Sequence, residues 1–131
     1  MNKKLAFLSD DWLSELSDQV VGLKARSIPS GVFLHVFTST PHGKVVFKMV
    51  IEESQITALD MGNGESDVTV TWRYSDAVDW FTGELDLDVA YMTGRCKLEG
   101  DYSRYLFGMR PLFWGEEWMQ VLNSLTNRSV F

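Results

Sequence analysis

Residues 68–73 alternate strictly, with Val68, Val70 and Trp72 on one side and Thr69, Thr71 and Arg73 on the other. A period of two with one apolar side is the pattern of a half-buried strand. Helix signals follow at once. Ser75 offers a hydroxyl N-cap, Asp76 and Asp79 suit the positive end of a helix, and Gly83 can take the left-handed conformation that closes one. A second short helix is expected from Asp86 or Asp88 to Gly94, after which residues 95–99 alternate again, Cys96 and Leu98 against Arg95, Lys97 and Glu99. Upstream, Ser9 can cap a helix running to about Lys24, its apolar face carried by Trp12, Leu13, Leu16, Val20 and Leu23. Residues 32–39 and 44–52 read as strands joined by a Thr40-Pro41-His42-Gly43 hairpin loop, and residues 56–61 as a weaker third strand. Downstream, Tyr102, Tyr105, Leu106 and Met109 fall on one face of a helix over residues 101–110, which Pro111 interrupts. A last helix over residues 116–125 is entered through Gly115.

One helix, three strands, then strand, short helices, strand and terminal helices make an α+β chain. Its most economical packing is a five-stranded mixed β-sheet with the helices on one face. At 131 residues it forms a single domain, residues 1–131, that buries roughly 65–70% of its unfolded surface.

The segment from the strand at Val68 to Asp101, with Ala77, Gly83, Leu85, Ala90, Met92, Gly94, Leu98, Gly100 and Asp101, resembles the signature of the sterol carrier protein 2 family of lipid-binding domains. These matching positions are turn glycines and core residues, not reactive groups, and the order of the remaining elements agrees. The resemblance implies that sheet and helices enclose an apolar tunnel for a sterol, a fatty acid or an acyl chain. It also implies a non-catalytic function of binding and transfer.

Composition sharpens that expectation. Five Trp, eight Phe and six Met in 131 residues supply large, adaptable apolar groups that suit a packed core or a ligand-lined cavity. A net charge of −6 and the lack of a basic run argue against nucleic acid and against strong attraction to anionic membranes. A lone Cys96 permits neither an internal disulfide nor a Cys-rich zinc site, and its strand position suggests a buried, inert thiol. The apolar run of residues 5–8 is too short for a secretory h-region, and Ser129-Val130-Phe131 is not a peroxisomal address, so a cytoplasmic protein is expected.

No catalytic or metal-binding residue stands out. His35 and His42 lack the spacing of a metal pair, the loop over residues 62–67 fits neither a P-loop nor an EF-hand, and no Gly-x-Ser-x-Gly elbow occurs. Asp76, Asp79, Glu84, Asp86 and Asp88 are explained by their places at helix starts. The candidate ligand-binding residues are Val70, Trp72, Trp80, Phe81, Met92, Leu106, Met109 and Phe113, and no cofactor is called for. Leu112, Phe113 and Trp114, bracketed by Pro111 and Gly115, read either as core or as a gate over the tunnel mouth. The expected partner is a small hydrophobic lipid, with transient membrane contact and a homodimer left open. Two alternatives stand beside lipid binding: an accessory or oligomerisation module with a collapsed pocket, and an enzyme acting on a lipid-like substrate.

Overall fold

A computed structural model describes residues 4–23, 30–53, 55–62, 64–101, 103, 105, 113 and 115–131. Strand β1 (Leu5–Ala6) leads into helix α1 (Asp10–Val20), whose N-cap Ser9 accepts a hydrogen bond from the Trp12 backbone N–H at 3.3 Å. The helix stops short of the expected Lys24 because its exit turns to the sheet. The Gly22 N–H donates to the Ile56 carbonyl at 2.8 Å, and the Ile56 N–H donates to the Leu23 carbonyl at 3.0 Å. Those backbone groups are spent on strand-like pairing and cannot close another helical turn.

Strands β2 (Gly31–Thr40), β3 (Gly43–Glu52), β4 (Gln55–Met61), β5 (Val68–Arg73) and β6 (Cys96–Gly100) form one mixed sheet in the order β4-β3-β2-β5-β6. The central β2–β5 pair is parallel and the other pairs are antiparallel. Register aligns Phe33 with Met49 and Val68, His35 with Phe47 and Val70, and Phe37 with Val45 and Trp72. All nine of these side chains are buried. This inner face joins the apolar stripes of the helices in one core, in which Trp12, Leu13, Leu16 and Val20 come from α1. At the end of β6, Gly100 has φ +95, and a Cβ there would run into the Asp67 carbonyl, so only glycine fits this crossing.

Helix α2 (Tyr74–Phe81) departs from expectation at its start. Arg73 is the N-cap, with no side-chain bond, and Ser75 lies within the first turn. Strand β5 ends at Arg73 and the helix begins at the next residue, so no free position remains for a Ser cap. Its end is as expected, with Gly83 at φ +85. Helix α3 (Leu87–Met92) is capped by Asp86, whose Oδ1 accepts from the N–H groups of Asp88 and Val89 at 2.8 and 3.2 Å. Helix α4 (Glu116–Asn127) starts from Gly115, with Glu116 and Glu117 in its first turn, and runs two residues beyond the expected Leu125. Most of the helix expected over residues 101–110, the Pro111 break and most of the segment read as a gate lie outside the described residues.

Two elements, β1 and its partner, have no counterpart in the sequence pattern. Strand β7 (Ser129–Val130) pairs in parallel with β1, so that the two ends of the chain clasp each other. The Leu5 N–H donates to the Arg128 carbonyl and the Phe7 N–H to the Val130 carbonyl, both at 2.8 Å. Side chains reinforce the clasp: Trp12 Nε1 donates to Ser129 Oγ at 2.8 Å, and Arg128 Nη1 meets Glu15 Oε1 at 2.9 Å. That bond, helped by one from Gln19, holds the Glu15 carboxyl below its ordinary range.

Candidate ligand cavity

A cavity of about 650 Å³ opens between α2, the turn that links it to α3, and α4. Phe81, Leu85, Leu87, Phe113 and Leu122, all buried, make its apolar walls, with Trp80 half-buried beside them. The rim is polar, formed by Thr82, Asp86, Asn123, Thr126 and Asn127. An apolar interior with a few polar groups at the edge is the common make-up of a small-molecule site, and the volume lies within the usual range.

Local structure explains how these side chains meet. The N–H groups of Glu84 and Leu85 both donate to the Asp79 carbonyl, at 2.8 and 3.0 Å, which folds the turn after α2 back and directs Leu85 inward. Thr126 Oγ1 donates to the Phe81 carbonyl at 3.1 Å and fastens α4 to the end of α2. From α4, Met119, Leu122, Asn123 and Thr126 line the cavity at helical spacing.

Behind the cavity the aromatic groups form a continuous cluster centred on Phe113. Its ring lies 4.7 Å from Trp118, 5.3 Å from Trp80 and 6.0 Å from His35. Trp80 in turn stacks on Trp72 at 4.9 Å with the planes 1° apart. His35, only 1% exposed, stacks on Phe47 at 4.8 Å. Neither ring nitrogen of His35 has a hydrogen-bond partner, nor do the indole nitrogens of Trp72 and Trp118. Burial without a compensating acceptor lowers the His35 pKa to about 3, so the imidazole is neutral. Cys96 is also inert: burial pushes its thiol up to about 12, against a smaller opposing effect of a hydrogen bond with Tyr105.

The candidate residues read from the sequence separate into groups. Trp80, Phe81 and Phe113 line the cavity. Val70 and Trp72 belong to the inner face of the sheet, with Trp72 one ring behind the wall. Met92 does not face inward: it is 82% exposed at the last turn of α3. The inward positions of that short helix are Leu87 and Ala90, and Met92 lies two residues beyond Ala90, on the far side of the turn. Leu106 and Met109 lie outside the described residues. The sequence reading missed Leu85, Leu87, Met119, Leu122 and the polar rim. The spacing of Met119, Leu122, Asn123 and Thr126 is a mixed stripe beside the apolar stripe of Trp118, Leu122 and Leu125, and it was the available signal.

A second, polar cavity of about 460 Å³ lies on the opposite side of the sheet, lined by Thr38, Thr71, Arg73, Asp76, Gly94, Arg95 and Lys97. Among the described residues no group of three His, Cys, Asp or Glu side chains could hold a metal ion, and no helix is long and apolar enough to cross a membrane.

The SCP-2 sterol transfer family matches residues 10–105, most of the chain, and the chain belongs to that family. Membership supports lipid or sterol binding or transfer in general terms. No curated protein sequence matches the chain significantly. Among solved structures, the fold is similar to a conserved hypothetical protein from Thermus thermophilus described as possibly a sterol carrier protein. That match has a TM-score of 0.69 and 14% identity over 94% of this chain and 92% of that one. A crystal structure of sterol carrier protein 2 matches with a TM-score of 0.67 and 13% identity, over 93% and 98% of the two chains. Palmitated SCP2L2 from Aedes aegypti matches with a TM-score of 0.53 and 23% identity, over 61% and 69%. At these identities the likeness concerns the fold.

Proposed function

We propose that the protein binds a long-chain lipid in the cavity between α2 and α4, and that carriage without covalent change is its activity. The observation that supports this most directly is the cavity itself: about 650 Å³, apolar inside, polar only at its rim, in a chain of a lipid-carrying family. The palmitated mosquito relative is consistent with an acyl chain as occupant. Burial of an alkyl chain contributes roughly 0.8 kcal/mol per methylene, so apolar walls suffice and no charged anchor is needed. Among the described residues the cavity offers no nucleophile with an adjacent base. Its polar groups are rim hydroxyls, amides and Asp86, while the thiol and the buried imidazole sit behind the wall, both uncharged. An exposed apolar stretch on α3, Val89, Tyr91 and Met92, lies one turn from the cavity residues Asp86 and Leu87 and suits brief contact with a membrane during loading and release.

Tryptophan emission tests the reading, because Trp80 lines the cavity and stacks on Trp72. Titrating delipidated protein with a C16 fatty acid or alcohol should give a saturable change. That change should weaken several-fold in Leu122→Trp, which fills the cavity from α4. A flat titration of folded protein with several lipid classes overturns the reading and favours an accessory module with a closed pocket.

A further inference from the structure

We propose that the ligand lies head-inward, its uncharged oxygen head group reaching past Phe113 to be hydrogen-bonded by His35 on the inner face of the sheet. This rests on the lipid-binding reading above and adds the orientation and the kind of head group. His35 is buried with both ring nitrogens unpartnered. A buried polar group left without a hydrogen bond costs on the order of 1–3 kcal/mol, and such groups are rare. Among the described residues His35 from β2, Trp72 from β5 and Trp118 from α4 share this condition, and they are not scattered. His35 and Trp118 each touch the ring of Phe113, and Trp72 reaches it through one intervening ring, Trp80. The same Phe113 ring is a wall of the cavity. It therefore stands as a partition between an apolar cavity and a set of unpaired polar atoms. The head group would enter by displacing that ring.

The chemistry of the unpaired atoms selects the head group. A neutral imidazole presents one donor and one acceptor, and an indole presents a donor only. A hydroxyl oxygen can accept an N–H bond, and its own hydrogen can go to the bare imidazole nitrogen. An ionised carboxylate only accepts, and it needs a positive charge to offset its burial. Burial keeps the imidazole neutral in the empty cavity, so a carboxylate would gain that charge only by bringing a proton in with it, against the same burial. The cationic side chains of β5 and β6, Arg73 and Lys97, lie with Arg95 at the polar cavity on the opposite face of the sheet. The preferred ligand is thus an aliphatic or alicyclic alcohol with its hydroxyl at the sheet, ahead of an ionised fatty acid of the same length.

The test compares 1-hexadecanol, hexadecanoate and hexadecane by displacement of a fluorescent probe from the protein at neutral pH. The wild type should favour the alcohol over the carboxylate. His35→Phe keeps a ring against Phe47 but removes both nitrogens. It should weaken the alcohol about tenfold, the equivalent of one hydrogen bond of about 1.4 kcal/mol, and leave hexadecane unchanged or tighter. A merely structural His35 would weaken all three ligands alike, and that result overturns the proposal. A second measurement needs no variant. The chain has two histidines, so ¹⁵N-histidine spectra of the wild type resolve His35 from His42. The His35 ring nitrogens should shift when 1-hexadecanol binds and stay still with hexadecane. Bound alcohol with unmoved His35 resonances overturns the head-inward orientation while leaving the cavity reading intact. Failure of every lipid to bind overturns both.

Discussion

His35 shows how much one side chain can settle. Strand alternation places it on the inner face between Phe33 and Phe37, where another apolar group would be the ordinary choice. Its cost shows as a pH dependence with a definite sign. The folded pKa, about 3, lies below the ordinary value of 6.5, so between those values the unfolded chain binds a proton that the folded chain does not. Stability from this group is therefore complete above pH 6.5 and falls as the pH drops toward 3, by up to about 1.4 kcal/mol per unit. Urea unfolding at pH 7, 6 and 5 should show this slope in the wild type and a much smaller one in His35→Phe. Glu15, whose pKa is lowered mainly by its hydrogen bond from Arg128, also loses stability as the pH falls, but it does so equally in both proteins. Parallel slopes would mean that the imidazole is protonated in the folded state or reaches water.

At the scale of elements, strand periodicity was the clearest signal, and β2 to β6 fall within a residue or so of where alternation puts them. The Asp86 cap and the Gly83 stop were legible for the same reason: each satisfies a local backbone requirement that few residue types meet. Ser75 misled because its capping chemistry is local, whereas the start of α2 is set by the strand that runs straight into it. The cavity was half legible. Aromatic residues of α2 announced one wall, but the opposite wall comes from α4, whose lining stripe mixes Leu122 with Asn123 and Thr126 and so resembles an ordinary solvent-facing edge. On α3 the sequence suggests Met92 inside, and the structure turns it out beside Val89. This gives the helix a use that can be checked. Val89→Asp with Met92→Asp places two charges where a bilayer would be met, at exposed positions that contribute little to folding. Lipid transfer between neutral vesicles should slow several-fold while binding of lipid from solution holds within about twofold, since exposed substitutions shift stability by only about 0.5 kcal/mol. Unchanged transfer would remove α3 from the membrane-facing side.

For the whole molecule, the charged and the aromatic side chains of the sheet are sorted onto opposite faces, with Leu34 and Val36 as buried apolar groups on the charged face. A chain of net charge −6 gathers Arg73, Arg95 and Lys97 on the outer face and keeps its aromatic groups on the inner one. The β1–β7 clasp was not legible in the sequence because two residues are too few for periodicity to register, and because pairing Leu5 with Ser129, near opposite ends of the chain, leaves no local trace. Its contribution is expected to be out of proportion to its length. Phe7 packs against both Phe131 and Trp12, at 5.0 and 4.8 Å, and Trp12 depends on Ser129 for its indole bond. Deleting residues 129–131 should lower the unfolding free energy by about 2–3 kcal/mol, from lost apolar burial together with an orphaned indole N–H. A urea midpoint equal to that of the intact chain would show the clasp to be dispensable.

Because β1 and β7 run in the same direction, the outer ends of the pair point opposite ways along a common axis. A pull between the two termini therefore slides one strand along the other instead of peeling them apart. It strains the Leu5–Arg128 and Phe7–Val130 bonds together. Bonds loaded side by side must break at once, and so a joint only two residues long serves as the mechanical latch of the molecule.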